Sequence, residues 1–178
     1  MGADDGLPPD PARVLDRACG AMLGLAIGDA LGATVEFMTP REIVAQYGVH
    51  DRIRGGGWLR LPAGEVTDDT TMTFALAQAW LGAAGAPSAA QCAAAFDAWM
   101  RAKPVDIGNT VRRGIIRWRL HGSVEAPLSS DAGNGGAMRC AAVASSSGAT
   151  MESWRSFRIS VPRGYHGSRP PERRVAPA

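Results

Sequence analysis

The sequence predicts an all-α fold of five or six helices. Three observations lead there. Apolar residues recur at helical spacing through most of residues 12–144. No stretch sustains the apolar–polar alternation of a half-buried strand. Hydrophobic residues make up 46% of the chain but aromatics only 6%, with alanine and glycine abundant. Small side chains at that density favour helices packed closely on helices. A length of 178 residues suits one domain.

Residues 1–11 are acidic and Pro-rich (Asp4, Asp5, Pro8, Pro9, Pro11) and read as a flexible lead-in. They lack the positive start of a signal peptide. Residues 12–32 read as one long helix, with Leu15, Ala18, Met22, Leu25 and Leu31 at helical spacing. Gly20, Gly24, Gly28 and Gly32 repeat every four residues on it. Glycine inside a helix costs roughly 1 kcal/mol against alanine. The stripe should therefore serve either close packing of another helix or close approach of a ligand at the Gly28–Gly32 end.

Thr39-Pro40-Arg41-Glu42 starts the next helix, with Thr39 as N-cap and Pro40 in first position. Gly48 ends it after Tyr47. Residues 50–66 are loop, punctuated by Gly55-Gly56-Gly57 and Pro62-Ala63-Gly64. A helix follows from Asp68 to about Ala84, carrying Met72, Leu76, Ala79 and Trp80, and is closed by Gly85 and Pro87. Ser88 caps another to about Arg101, broken by Lys103-Pro104. Gly108–Leu120 reads as the next, ended by Gly122. Residues 123–137 are a Ser-, Gly- and Asn-rich loop, and 138–144 can start one more helix. No internal repeat is evident.

The net charge of +2 hides an uneven distribution. Residues 1–150 hold 13 Lys and Arg against 15 Asp and Glu, whereas 151–178 hold six Arg and two Glu. The body therefore carries no nucleic-acid footprint, and the tail reads as a solvated, irregular end. Cys19, Cys92 and Cys140 are scattered and odd in number. They fit neither a disulfide framework nor a zinc site. Buried free thiols and a cytoplasmic setting are the expectation. The apolar run Ala18–Gly28 has 11 residues, against about 20 for a membrane span, so no membrane partner is expected.

Thr67-Asp68-Asp69-Thr70 opens the third helix. Thr67 or Asp68 as N-cap would satisfy orphan N–H groups, and acidic charge suits the positive helix end. Capping accounts for one acid better than for two acids and further threonines. Adjacent helical side chains point about 100° apart, so the two aspartates could serve two neighbouring ions, or one ion and a water. Oxygen-only donors suit Mg²⁺ or Mn²⁺ rather than zinc. On the motif alone both readings stand.

Glu36, just past the glycine-striped helix, is by itself a surface carboxylate. Asp29 lies in an apolar run and needs a partner; it reads as a buried cap or hydrogen-bonding residue. Gly133-Asn134-Gly135-Gly136-Ala137-Met138-Arg139 is either a plain turn or a glycine-rich loop whose N–H groups face phosphate. No Gly-Lys-Ser/Thr follows, so it is not a Walker A loop.

In chain order, Gly28-Asp29-Ala30-Leu31-Gly32 with Glu36-Phe37, then Thr67-Asp68-Asp69-Thr70-Thr71-Met72, then Pro104-Val105-Asp106-Ile107-Gly108-Asn109-Thr110, then Gly133–Arg139, are similar to the motifs of the ADP-ribosylglycohydrolase family. That family includes the dinitrogenase reductase-activating glycohydrolases. The resemblance covers about residues 15–144. It implies an all-α fold around a pair of Mg²⁺ or Mn²⁺ ions, with Thr67, Asp68 and Asp69 as metal ligands and Glu36 coordinating or gating the centre. It also implies that Asn134, Gly135, Gly136, Ala137 and Met138 line the ADP-ribose site, with Asp106, Ile107 and Gly108 near the substrate cleft. The implied activity is hydrolysis at the anomeric carbon of ADP-ribose on a modified protein side chain, most often arginine. An aspartate at the metal centre would orient the water, and Asp68, Asp69 and Glu36 would be the catalytic acids. ADP-ribose or an ADP-ribosylated protein is the implied partner, met by a monomer.

The family's second metal cluster, Asp-x-Asp-Thr, is not matched. The carboxylates after Asp69 are Asp97, Asp106, Glu125, Asp131, Glu152 and Glu172, and none forms Asp-x-Asp. The family's His-containing segment after the glycine-rich loop is unmatched too. The expectation is a partial domain over residues 12–144 with the C-terminal helices missing, half a dinuclear site, and weak metal binding and turnover. Residues 145–178 read as an irregular Arg- and Pro-rich tail, disordered or out of frame. Two other readings remain: a catalytically inactive ADP-ribose-binding or structural relative, and a helical interaction domain whose acidic block is only a cap.

Overall fold

The computed structural model describes residues 10–83, 86–125 and 133–146. The lead-in to residue 9, residues 84 and 85 at the expected end of the third helix, residues 126–132 before the glycine-rich loop and the tail from residue 147 lie outside them. The described residues form six helices in chain order: α1 (Pro11–Gly32), α2 (Pro40–Tyr47), α3 (Asp68–Gly82), α4 (Ala89–Arg101), α5 (Asn109–His121) and α6 (Cys140–Ser146). Among them the one extended pairing is an isolated antiparallel bridge, Gly56 with Leu61. The chain is all-α, as expected.

The helix ends follow local chemistry. Asp10 caps α1, accepting the Ala12 N–H at 3.0 Å, so that Pro11 sits in the first turn, where its missing N–H does no harm. The helix thus starts inside what the sequence suggested was lead-in. Thr39 and Glu42 form a reciprocal capping box at α2, and Ser88 and Gln91 do the same at α4. Gly122 closes α5 in the left-handed conformation, φ 64°.

Helix α3 is the centre. It packs against α4 and α6, α1 lies on α6 and α3, and α5 lies on α4. Met72, Ala75, Trp99, Ile115 and Met138 make the buried cluster, with Phe96, Met100, Ile107 and Val111 against it. Asp97, buried on α4, pairs with Arg119 of α5 and with Arg101 at 2.8 Å. That pairing fastens α5 to α4.

Two expectations are corrected. Among the described residues the glycine stripe of α1 carries no closely packed helix: nothing lies within 4 Å of a Cβ placed at Gly20, Gly24, Gly28 or Gly32. Leu15, Leu23 and Ile27 on the same helix are exposed. Only the C-terminal end of α1 is buried, at Ala30, with Ala33 and Thr34 just beyond. The cysteines are free but not buried: Cys19 is exposed, and Cys92 and Cys140 are half-buried. Cys19 adjoins Gly20 on the helix whose N-terminal part packs least.

Candidate active site

The site is built where α1 ends and α3 begins. The carboxylate of Asp29 reaches across to the start of α3. Its Oδ2 accepts the N–H of Thr67 at 2.9 Å, the N–H of Thr70 at 3.1 Å and the hydroxyl of Thr70 at 2.6 Å. Its Oδ1 accepts the Thr67 hydroxyl at 2.8 Å. Asp29 is the partner-seeking acid of the sequence, and it serves as a cap supplied from another helix.

With that end tied down, the other threonines are also engaged. Thr67 is the formal N-cap, accepting the Asp69 N–H. Thr71 donates to the Thr67 carbonyl and accepts the indole N–H of Trp99 at 3.0 Å. Thr73, fully buried, shares its hydroxyl between the carbonyls of Asp69 (2.6 Å) and Met138 (3.1 Å). The threonines thus fix the first turn of α3 to α1, to α4 and to the glycine-rich loop.

Capping by Asp29 leaves the carboxylates of Asp68 and Asp69 free for other work. Asp68 is buried and accepts the Gly108 N–H at 3.2 Å. That bond brings the Asp106–Gly108 segment to the site. Asp106 itself accepts the N–H of Ile107. Burial, then the charge of Asp106, raises the Asp68 carboxyl above its usual range. Asp69 is pushed up to about 6, first by burial and then by the charges of Asp29, Asp68, Glu36 and Asp106. Five carboxylates therefore share one neighbourhood. Arg139 supplies positive charge there: it feels Asp68 and Asp69, lies over the Phe96 ring at 4.8 Å and contacts the Met72 sulfur. Burial lowers its guanidinium below the usual value.

Glu36 stands at the edge of this cluster, in the turn after α1. It accepts the indole N–H of Trp58 at 2.9 Å. Sequence reasoning missed Trp58, although a tryptophan inside a Gly- and Arg-rich loop was its visible signal. It missed Arg139 and Thr73 as site elements as well.

The glycine-rich loop departs from expectation in part. Gly135 to Arg139 form turns leading into α6. The Asn134 carbonyl accepts the N–H groups of Ala137 (2.7 Å) and Met138 (3.3 Å), so those two are not available to phosphate. The Met138 side chain is in the core rather than lining a cleft. Its apolar thioether gains more there than beside a charged ligand. Asn134 and Ala137 are exposed, Gly135 and Gly136 half-buried. The N–H groups of Gly135 and Gly136 have no acceptor among the described residues.

This geometry can be compared with known proteins. The family model for ADP-ribosylglycohydrolase matches residues 10–168. The chain belongs to the ADP-ribosylglycohydrolase family. The matched stretch reaches beyond residue 144, where the sequence motifs stop. Among curated relatives, ADP-ribosyl-[dinitrogen reductase] glycohydrolase of Rhodospirillum rubrum is 57% identical over 128 residues, covering 71% of this chain and 43% of that protein. ADP-ribosylarginine hydrolase Tri1 of Pseudomonas putida (strain GB-1) is 43% identical over 119 residues, covering 63% of this chain and 30% of that protein. A solved structure described as an ADP-ribosylglycohydrolase-related protein complex superposes with a TM-score of 0.61 at 34% identity, covering 74% of this chain and 42% of that one. The chain thus spans less than half the length of the family members it matches.

Among the described residues no helix is long and apolar enough to cross a membrane.

Proposed function

We propose that this chain carries one half of an ADP-ribosyl hydrolase site, acting on ADP-ribose joined to a protein side chain, with arginine the favoured acceptor. The observation that supports this best is the gathering of Asp29, Glu36, Asp68, Asp69 and Asp106 in one neighbourhood, where burial first and the neighbouring charges second push the Asp69 carboxyl up to about 6. Such crowding of acids is unfavourable unless a cation or a reaction uses it. The relatives' names, one an ADP-ribosylarginine hydrolase, supply the substrate class.

The donor set suits a hard cation. Thr67, Asp68 and Asp69 would hold Mg²⁺ or Mn²⁺, all through oxygen, with Glu36 gating the centre from its edge. When bound, the metal supplies Lewis-acid polarisation of ribose hydroxyls and water. The chain's own residues do the rest. Asp69 accepts a proton from the attacking water at a carboxylate oxygen. The hydroxyl adds to the anomeric carbon as the bond to nitrogen breaks, and the departing guanidine nitrogen keeps the electron pair and takes up a proton. The glycine-rich loop, through the Gly135 and Gly136 N–H groups, contacts the diphosphate, and Asn134 and Ala137 border it.

A second reading is a non-catalytic ADP-ribose-binding relative, in which the acid cluster holds no metal. A melting experiment separates the two. For the hydrolase half-site, ADP-ribose raises Tm only when Mn²⁺ or Mg²⁺ is present, and Asp68→Ala abolishes the rise. A rise of equal size with a chelator present would refute the metal-dependent reading.

A further inference from the structure

Two turns face each other beside the acid cluster. Glu36 and Phe37 are the central residues of a turn closed by the Met38 N–H on the Val35 carbonyl at 3.0 Å. Trp58 sits in a second turn, closed by the Arg60 N–H on the Gly57 carbonyl at 3.2 Å and based on the Gly56–Leu61 bridge. The Trp58 indole N–H donates to Glu36. The Phe37 and Trp58 rings lie edge to face, with centroids 5.4 Å apart.

Both rings are open to solvent, Phe37 at 78% and Trp58 at 53%. The frame under them is well fixed. His50 Nε2 bonds the Leu31 carbonyl at 2.8 Å, and the Thr34 hydroxyl donates to the Arg54 carbonyl at 2.6 Å. Gly57 lies so close to α1 that a Cβ there would stand 2.4 Å from the Ala33 oxygen. Phe37 holds φ 62°, a conformation that bulky residues avoid. An exposed ring in that conformation gains nothing from burial, so its position calls for another use.

The chemistry beside the rings selects the occupant. Glu36 spends one oxygen on Trp58; its other has no partner among the described residues. Asp68, Asp69 and Asp106 add negative charge on the same side of the molecule, which favours a cation at the rings. An aromatic pair next to a carboxylate binds cations. A planar guanidinium fits better than an ammonium, because it stacks on rings and donates to a carboxylate at once.

We propose that Phe37, Trp58 and Glu36 form the subsite for the guanidinium of an arginine side chain, on the leaving-group side of the scissile bond. The assignment rests on the hydrolase reading above and adds the residues that would select the acceptor.

The test uses both reaction products, so that nothing turns over. Agmatine is titrated into the full chain in buffer containing Mg²⁺, with saturating ADP-ribose, and indole N–H resonances are followed by NMR. Trp58→Phe identifies its signal by removing it. Agmatine is expected to shift that resonance, and Phe37→Ala to weaken agmatine about 5-fold while leaving ADP-ribose affinity unchanged. Butylamine is expected to bind more weakly than agmatine. An unmoved Trp58 signal, equal binding of butylamine, or equal loss of agmatine and ADP-ribose in Phe37→Ala would each overturn the subsite. If ADP-ribose fails to bind, the hydrolase reading falls, and the agmatine shift, measured alone, still decides whether these residues bind a guanidinium.

Discussion

The Asp29 carboxylate accepts both the backbone N–H and the hydroxyl of Thr67, at 2.9 and 2.8 Å, across 38 residues of sequence. With its two bonds from Thr70, this makes α1 the cap of α3. Replacing Asp29 by alanine should strand these donors and cost about 2–3 kcal/mol of stability. Urea denaturation of the two chains measures it. A loss below about 0.5 kcal/mol, the scale of an ordinary surface substitution, would mean that Asp29 is not the cap.

Asp69 gives the metal-free chain a defined pH dependence. Its carboxyl is pushed up to about 6, above the ordinary 3.8 of an aspartate. The folded state therefore binds more protons between those values. The stabilisation is fully present below about 4 and is lost as pH rises through about 6. Asp68 is shifted in the same direction. With a chelator present, Asp69→Asn should stabilise the chain at pH 7.5 by about 1 kcal/mol, after discounting for its partial exposure, and do little at pH 4. Added Mn²⁺ should act oppositely, stabilising the wild type more at pH 7.5 than at pH 5, because ligands must be deprotonated. Denaturation midpoints at these pH values check both. Equal effects of Asp69→Asn at pH 4 and 7.5 would contradict the assignment.

Thr73 links the acid cluster to the glycine-rich loop through one buried hydroxyl. Thr73→Val keeps the shape and removes the donor. The expected cost is about 1–2 kcal/mol. ADP-ribose affinity should fall, while Mn²⁺ affinity, set by other side chains, should hold. Calorimetric titration of each ligand separates them; an equal loss of both would show a general disturbance of α3.

Asp97 supplies a control outside the acid cluster. Placed between Arg101 and Arg119, it should cost about 1–2 kcal/mol when replaced by alanine, since both arginines keep access to water. ADP-ribose binding by the folded fraction should not change, as titration below the melting transition would show.

Much of the site was legible as residue types in order. Asp29 was marked by being an acid in an apolar run, and Thr67, Asp68 and Asp69 by crowding at one helix start. Glu36 was legible only through resemblance, because a lone carboxylate after a helix carries no signal of its own. Its bond to Trp58 crosses 22 residues of sequence, α2 and a long loop, whose path no local rule gives. Met138 was misassigned because a methionine beside glycines looks the same whether it faces a ligand or the core.

The sequence by itself determined the helices, their ends and the family. Thr39 with Glu42, Ser88 with Gln91, and Gly48 and Gly122 act through bonds spanning only a few residues, so their information is local. Tertiary structure alone decided which elements meet. It put Asp29 on α3, Trp58 on Glu36, Met138 in the core and the glycine stripe in the open. Those outcomes depend on which faces are buried together, and burial is settled by packing across the whole chain, not by any window of it.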